Sequence, residues 1–327
     1  MIRQFFVSRL LTDFTQFMIS EEFPLTIQAD VLCGDLQSAA NWIRANKIEL
    51  LKKLEIHGAL LLRGFPLHSA EDFDSCLKAL NLENFTYAES LSNAVRNNKT
   101  ERVFTANEAP PDVEIFLHHE MAQTPIYPTK LIFFCEKASE EGGATPLCQS
   151  DKLLDLLVQN IPIFVSDLEK KGVQYKNVIP ASVDLKSGQG RSWRDTLGVN
   201  SQEEAEVRLA SLGYGWEWLD CQNLRVTTPV LSAIRKLANG RKVFFNQLIA
   251  AYRGWKDSRN EGKNTILYGD GTNIPDAAMQ VVFELSETIT FDHRWREGDI
   301  VLVDNFLVMH GRRPYQGTRK VLASLSR

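Results

Sequence analysis

Trp295-Arg296-Glu297-Gly298-Asp299-Ile300-Val301-Leu302-Val303-Asp304-Asn305-Phe306-Leu307-Val308-Met309-His310-Gly311-Arg312-Arg313-Pro314 is the stretch on which the reading of the fold turns. Trp295 to Gly298 reads as a turn, and Asp299 to Val303 as a short, apolar, β-branched buried strand. His310 falls just past that strand, and Gly311 to Pro314 form the next turn. A second strand, Arg319-Lys320-Val321-Leu322-Ala323-Ser324-Leu325, then opens with two cations. A histidine and a pair of cations are therefore delivered to neighbouring points of adjacent strands.

Working outward, the next informative stretch is Leu117-His118-His119-Glu120-Met121. A His and a carboxylate two positions apart on an extended segment point to the same side, because side chains alternate between the faces of a strand. His310, arriving from a distant strand, would complete a 2-His-1-carboxylate facial triad of the kind that leaves positions open on non-haem Fe(II). His118 and Glu120 alone, an H-x-E of the sort that occurs by chance, would not carry this reading. His119, between them, is expected to point away from the metal.

The cations fit a dicarboxylic co-substrate. 2-Oxoglutarate chelates iron through its keto acid end and needs a cation for its far carboxylate, which the planar fork of arginine can grip bidentately. Gly142-Gly143-Ala144-Thr145-Pro146 supplies a turn followed by a hydroxyl that can share that carboxylate. Taken alone, Arg319 reads as a solvent-exposed strand end.

The rest of the chain shows neither repeats nor low-complexity linkers. Asp35 to about Ile56 reads as an amphipathic helix closed by Gly58, and Ser69-Ala70-Glu71-Asp72 as a capping box opening a second helix. Lys130 to Lys137 reads as a core strand. Ser150 to about Gly172 and Ser201 to Gly213 read as helices, with polar, glycine-containing sequence between them. Lys242 to Gln247 is expected to resume strand, and Pro275 to open a helix over Asp276 to about Glu287. The expectation is one domain over 1–327, mostly β with flanking helices: a double-stranded β-helix (jelly-roll, cupin-like) core. About 1–57 would be an N-terminal helical segment, and about 150–240 a helical insertion and lid between two halves of the β core.

Composition excludes several function classes. The 327 residues are 44% hydrophobic and 24% charged, with a formal charge of −4 and no basic footprint for nucleic acid. No apolar run approaches the roughly 20 residues of a membrane span. Met1 to Val7 is apolar but is followed by Arg9 and Asp13 without a convincing cleavage site, so cytoplasmic location is expected. Five cysteines, at 33, 76, 135, 148 and 221, show no C-x-x-C spacing and read as small buried hydrophobes in a reducing compartment.

Several separated motifs in one order resemble the taurine catabolism dioxygenase (TauD/TfdA) superfamily of Fe(II)/2-oxoglutarate oxygenases, in its SyrP-like and clavaminate-synthase-like branch. They are Gly58 to Phe65, Leu117 to Met121 with Pro128 to Cys135, Gly142 to Pro146, Phe244-Phe245-Asn246-Gln247, Asp270-Gly271-Thr272, and Asp304-Asn305 through Lys320. The resemblance implies that His118, Glu120 and His310 are the iron ligands. It implies that Thr145 and Arg319 bind 2-oxoglutarate, with Lys320 and Arg313 as alternatives to the arginine. The cofactors implied are Fe(II), 2-oxoglutarate and O2, and the products succinate and CO2. The halogenase relatives lose the carboxylate ligand, so Glu120 argues for hydroxylation, desaturation or a related oxidation. His119 departs from the Asn often found between the ligands.

Relatives in this branch oxidise amino acids or amino-acid-like units, so hydroxylation of an aliphatic C–H of such a small molecule, free or tethered to a carrier protein, is the expected reaction. Candidate pocket residues are Asn107, Trp193, Asn246, Gln247, Tyr252, Arg253 and Trp255. Two other classes stand beside this reading: a zinc hydrolase using the same His2Glu set, and a catalytically idle barrel that binds a ligand. The H-E-x-x-H spacing of zinc hydrolases is absent.

Overall fold

The computed structural model describes residues 17–20, 23–29, 34–86, 89–92, 94, 96–106, 108–184, 187 and 189–327. The first half contains β1 (Phe17–Ser20), β2 (Leu25–Ala29), α1 (Leu36–His57), β3 (Ala59–Arg63), α2 (Ala70–Leu80), β4 (Phe104–Thr105), β5 (Ile115–His118), β6 (Lys130–Lys137), β7 (Glu141–Gly142) and β8 (Thr145–Gln149). A middle region follows with α3 (Ser150–Asn160), α4 (Pro162–Lys171), β9 (Val173–Ile179), α5 (Trp193–Leu197), α6 (Gln202–Ser211), β10 (Gly215–Trp218), β11 (Leu224–Thr227), β12 (Arg235–Lys236) and β13 (Lys242–Val243). The chain closes with α7 (Leu248–Gly254), β14 (Ile266–Tyr268), α8 (Asp276–Thr288), β15 (Phe291–His293), β16 (Ile300–Asp304), β17 (Val308–Arg312), β18 (Tyr315–Gln316) and β19 (Lys320–Ser326).

Two sheets make the core. A seven-stranded sheet runs β1-β2-β3-β16-β6-β19-β4, and a four-stranded sheet runs β15-β8-β17-β5. The central strands of the larger sheet are apolar on both sides because both sides are covered. Leu60, Leu62, Ile132, Phe134, Ile300 and Leu302 pack on α1 and α2, whose Trp42, Leu50, Leu54, Phe73 and Leu77 meet them. The alternate residues Leu61, Leu131, Phe133, Val301 and Val303 face Leu147 and Val308 of the smaller sheet. Each such side chain removed from water contributes about 1.5–3 kcal/mol. The outer face of the smaller sheet presents Leu117, Cys148 and Met309 to α3, α4, α7 and α8. These sheets and helices make a mostly-β, cupin-like fold.

Local signals set several boundaries. Asp35 caps α1 by accepting from Ser38 N at 2.7 Å. Gly58 ends it at φ 78, where a Cβ would lie 2.6 Å from Val308 Cγ2. Ser69 and Asp72 form the reciprocal capping box of α2.

The structure differs from the expectation in four places. The described residues up to 57 are not simply helical: β1 and β2 precede α1, and β2 pairs in parallel with β3. The insertion of about 150–240 is mixed, because β9, β10 and β11 join β14 in a second four-stranded sheet. Strand after Arg241 stops at Val243; Phe244 to Gln247 leave the sheet to bond the backbone of Ser150 and His119. His310 lies inside β17 rather than beyond a strand, since Asn305 to Leu307 turn the chain back after β16.

Candidate metal centre

β5 and β17 are antiparallel neighbours, and their register sets His118 directly opposite His310. The two imidazoles lie 4.3 Å apart, centroid to centroid. β5 ends at His118, and the chain enters a turn that carries Met121 at φ 58 and brings Glu120 back to the histidines. Glu120 Oε2 is 3.8 Å from His118 Nε2 and 3.6 Å from His310 Nε2. One donor atom from each of the three lies within 4.8 Å of the others.

Neighbouring groups fix these donors. His118 Nδ1 is 2.8 Å from the Phe116 carbonyl oxygen, an arrangement that suits an Nδ1–H donor and leaves the Nε2 lone pair for a metal. Asn305 clamps the backbone of Glu120: Glu120 N donates to its Oδ1 at 2.7 Å, and its Nδ2 donates to the carbonyls of Glu120 and Pro128. Burial opposes ionisation of Glu120, but Arg96, His118 and His310 together hold its carboxyl well below the usual range. Burial and the neighbouring His118 push His310 down to about 4, so it is a neutral donor near pH 7. Two imidazoles and a carboxylate, buried and convergent, fit a divalent iron or zinc ion. His119 points elsewhere: its ring nitrogens meet the carbonyls of Asn305 and Phe244 and the hydroxyl of Ser150.

A cavity of about 500 Å³ runs from His118 and His310 past Phe133 to Thr145, Arg312 and Arg319. Arg319 Nε donates to Gly143 O at 3.0 Å and Nη2 to Thr145 Oγ1 at 3.3 Å. Trp295 Nε1 also donates to that hydroxyl, at 2.9 Å, so its own proton is left to donate. Gly143 permits this approach, because a Cβ there would sit 2.4 Å from Ser139 Oγ and 3.1 Å from Arg319 Cδ. No carboxylate of the described residues forms an ion pair with Arg319. Burial, then Arg312, lowers its pKa to about 10, so it is still a cation at neutral pH. Lys320 instead lies outside, 3.6 Å from Glu136, and Arg313 is occupied by Glu114, Glu287 and Asp292.

A larger cavity, about 1120 Å³, opens on the other side of His118 and Glu120. Its wall comes from β9, β11, α5, α6 and α7, and its polar members include Gln123, Asn177, Gln189, Thr196, Thr228 and Gln247. Gln123 Oε1, Gln189 Oε1 and Thr196 Oγ1 are buried without a hydrogen-bond partner among the described residues.

The candidate substrate residues separate on inspection. Gln247 lines this cavity, with its Nε2 bonded to His119 O. Asn246 does not; its side chain is spent on Ala233 O and Leu248 N. Trp193 is fully buried in a neighbouring cluster, and its indole N–H donates to Gln222 O. Arg253 lies over the rings of Phe116 and Phe283 rather than in the wall. Of the other two aromatics, Trp255 lines the cavity, while Tyr252 donates to Asp276. Asn107 lies outside the described residues. Sequence reasoning did not single out Arg96, Arg312 or Trp295 for roles here, because each is placed by a long-range contact that no local spacing announces. Asn305 was visible within the Asp304-Asn305 motif but carried no assigned task.

Comparison with known proteins agrees with this geometry. A model of the taurine catabolism dioxygenase TauD, TfdA family matches residues 20–325. A clavaminate synthase-like protein of Arabidopsis thaliana is 37% identical over 284 residues, 86% of each chain. The dapdiamide synthesis protein DdaC of Enterobacter agglomerans is 29% identical, covering 82% of each chain. Among solved structures, PvcB, an Fe, α-ketoglutarate dependent oxygenase from an isonitrile synthetic pathway, superposes with TM-score 0.53 at 14% identity, over 100% of this chain and 94% of its own. AAD-2 in complex with Mn(II) and N-oxalylglycine gives 0.51 at 14%, over 95% and 97%. No helix of the described residues is long and apolar enough to cross a membrane. With a family match that spans nearly the whole chain, and a His-Glu-His cluster at the heart of the fold, this protein belongs to the TauD/TfdA family of dioxygenases, which use Fe(II), 2-oxoglutarate and O2.

Proposed function

We propose that the protein hydroxylates an aliphatic C–H bond of an amino acid or amino-acid-like substrate, free or carrier-tethered. In this reading His118, Glu120 and His310 hold the iron, and Thr145 and Arg319 hold the far carboxylate of 2-oxoglutarate. The observation that carries it is the buried cation of Arg319, which has no carboxylate partner among the described residues and lines the same cavity as the two histidines. A zinc hydrolase has no use for such a group, whereas a dicarboxylate chelated at one end needs it. The two facing sheets are read as a double-stranded β-helix, with the mixed insertion as its cover.

Oxidative decarboxylation of 2-oxoglutarate to succinate and CO2, coupled to oxidation of a substrate C–H, is the chemistry that bound iron and co-substrate supply. The chain's own work is placement and exclusion of water. Arg319 and Thr145 set the co-substrate's direction, and Asn305 sets the backbone that carries Glu120. The oxygens of Gln123, Gln189 and Thr196, unpartnered among the described residues, favour a substrate that brings N–H or O–H donors. One relative, a dapdiamide synthesis protein, supports a small-molecule substrate.

The test is an anaerobic titration of the Fe(II)-loaded protein with 2-oxoglutarate, followed by visible charge-transfer absorption. A saturable band that is absent in His118→Ala supports the reading. Bound iron with no band removes the co-substrate assignment, and no iron bound removes the metal assignment.

A further inference from the structure

The carboxylate of Glu120 is gripped by a cation that no motif marks. Arg96 Nη2 donates to Glu120 Oε1 at 2.8 Å, and the two side chains are only 8% and 4% exposed. The other oxygen, Oε2, faces both imidazoles. One carboxylate thus presents two unlike oxygens. Arg96 is itself held in place, because its guanidinium lies over the Phe104 ring at 5.3 Å. The next residue is knitted to β4: Asn97 N donates to Thr105 Oγ1 at 3.0 Å, and Thr105 N to Asn97 O at 2.9 Å. The cation therefore reaches the centre from the edge of the seven-stranded sheet. It also lines both cavities, at the point where they meet beside His118 and Ile115.

We infer that Arg96 is a positioning residue that restricts Glu120 to a single metal-facing oxygen, and so keeps free a coordination position that the co-substrate or O2 requires. Carboxylates bind cations through one oxygen or both. A dication drawn onto Oε1 would approach the guanidinium charge, and at short range in a buried site that repulsion is strong. Oε2 is the oxygen turned away from it. Two imidazoles and one carboxylate oxygen fill one face of an octahedron, whereas a second oxygen would take a position from the open face. This inference rests on the metal-centre reading above.

The experiment uses the full chain loaded with Co(II), whose visible spectrum responds to coordination number, and titrates it anaerobically with 2-oxoglutarate. Arg96→Met is expected to keep Co(II), alter its spectrum, and weaken 2-oxoglutarate binding roughly 10–100-fold. Arg96→Lys, which keeps the charge, is expected to return the wild-type spectrum; a role in packing alone would leave the spectrum unmoved in both. If Arg96→Met fails to fold, Arg96→Gln takes its place under the same criteria. A wild-type spectrum with wild-type 2-oxoglutarate affinity in the uncharged variant overturns the inference alone. Wild-type protein that binds no Co(II) overturns the metal-centre reading and this inference with it.

Discussion

Replacing Arg319 by methionine isolates the proposed co-substrate grip. The guanidinium is buried beside Thr145 and has no protein carboxylate among the described residues, so an arriving anion would meet an unopposed charge there. A charge-assisted hydrogen bond contributes about 1.5–3 kcal/mol, and each 1.4 kcal/mol is tenfold. Loss of one such contact should therefore raise the 2-oxoglutarate requirement by roughly one to two orders of magnitude. The substitution also frees Gly143 O, which accepts from Nε, so thermal unfolding should be followed alongside. The assay is succinate formation against 2-oxoglutarate concentration, paired with the anaerobic charge-transfer titration. Both half-saturation points should move together while the intensity at saturation persists. An unchanged requirement in a folded variant would refute the assignment, and the occupied state of Arg313 and Lys320 leaves them poorly placed to inherit it.

Four further outcomes are expected. His310→Ala should abolish 2-oxoglutarate turnover while unfolding stays cooperative; retained turnover would remove His310 from the site. Asn305→Leu strands Glu120 N and the carbonyls of Glu120 and Pro128, each at about 1–3 kcal/mol, so it should lower the melting temperature and weaken metal binding in a calorimetric titration. Arg63→Met leaves Asp299 buried without its bidentate partner and should cost roughly 3–5 kcal/mol by denaturant unfolding, against near zero if the pair is incidental. His119 and His310 are pushed down by burial, to about 3 and about 4, so the unfolded chain binds more protons than the folded one between those values and about 6.5. Metal-free protein should accordingly be most stable above pH 6.5 or so and lose stability as the pH falls through that window; a flat melting temperature from pH 7 to 5 would contradict the burial of these rings.

Much of the centre was legible because its residues sit in patterns with local meaning. The caps Asp35 and Ser69, the apolar strand Lys130 to Lys137 and the helix after Pro275 each declare themselves within a few positions. His118, Glu120 and His310 are brought together as expected, although Glu120 gets there through a turn rather than along a continuing strand. What escaped depends on distant partners. β2 is a five-residue strand whose identity comes from pairing with β3, and β9 belongs to a sheet completed almost ninety residues later by β14. Asn246 and Trp193 carry side chains suited to ligands, but hydrogen bonds inside the protein use them up. Arg96 lies in a polar segment with no periodicity, so only the folded chain reveals its target.

The register of β5 against β17 also has a temporal meaning. His118 and His310 are almost two hundred positions apart in the sequence, yet they are direct neighbours across one ladder. A closure that long is among the slower contacts a chain makes. On the ribosome, the proposed iron-binding set would be incomplete until His310 has emerged and β17 has docked against strands made much earlier. A complete site for an oxygen-activating metal would thereby be withheld from a half-built chain, whose exposed side chains would be the nearest oxidisable material. Metal uptake would then follow finished folding, and by mass action a bound ion would hold the early and late halves of the sheet together.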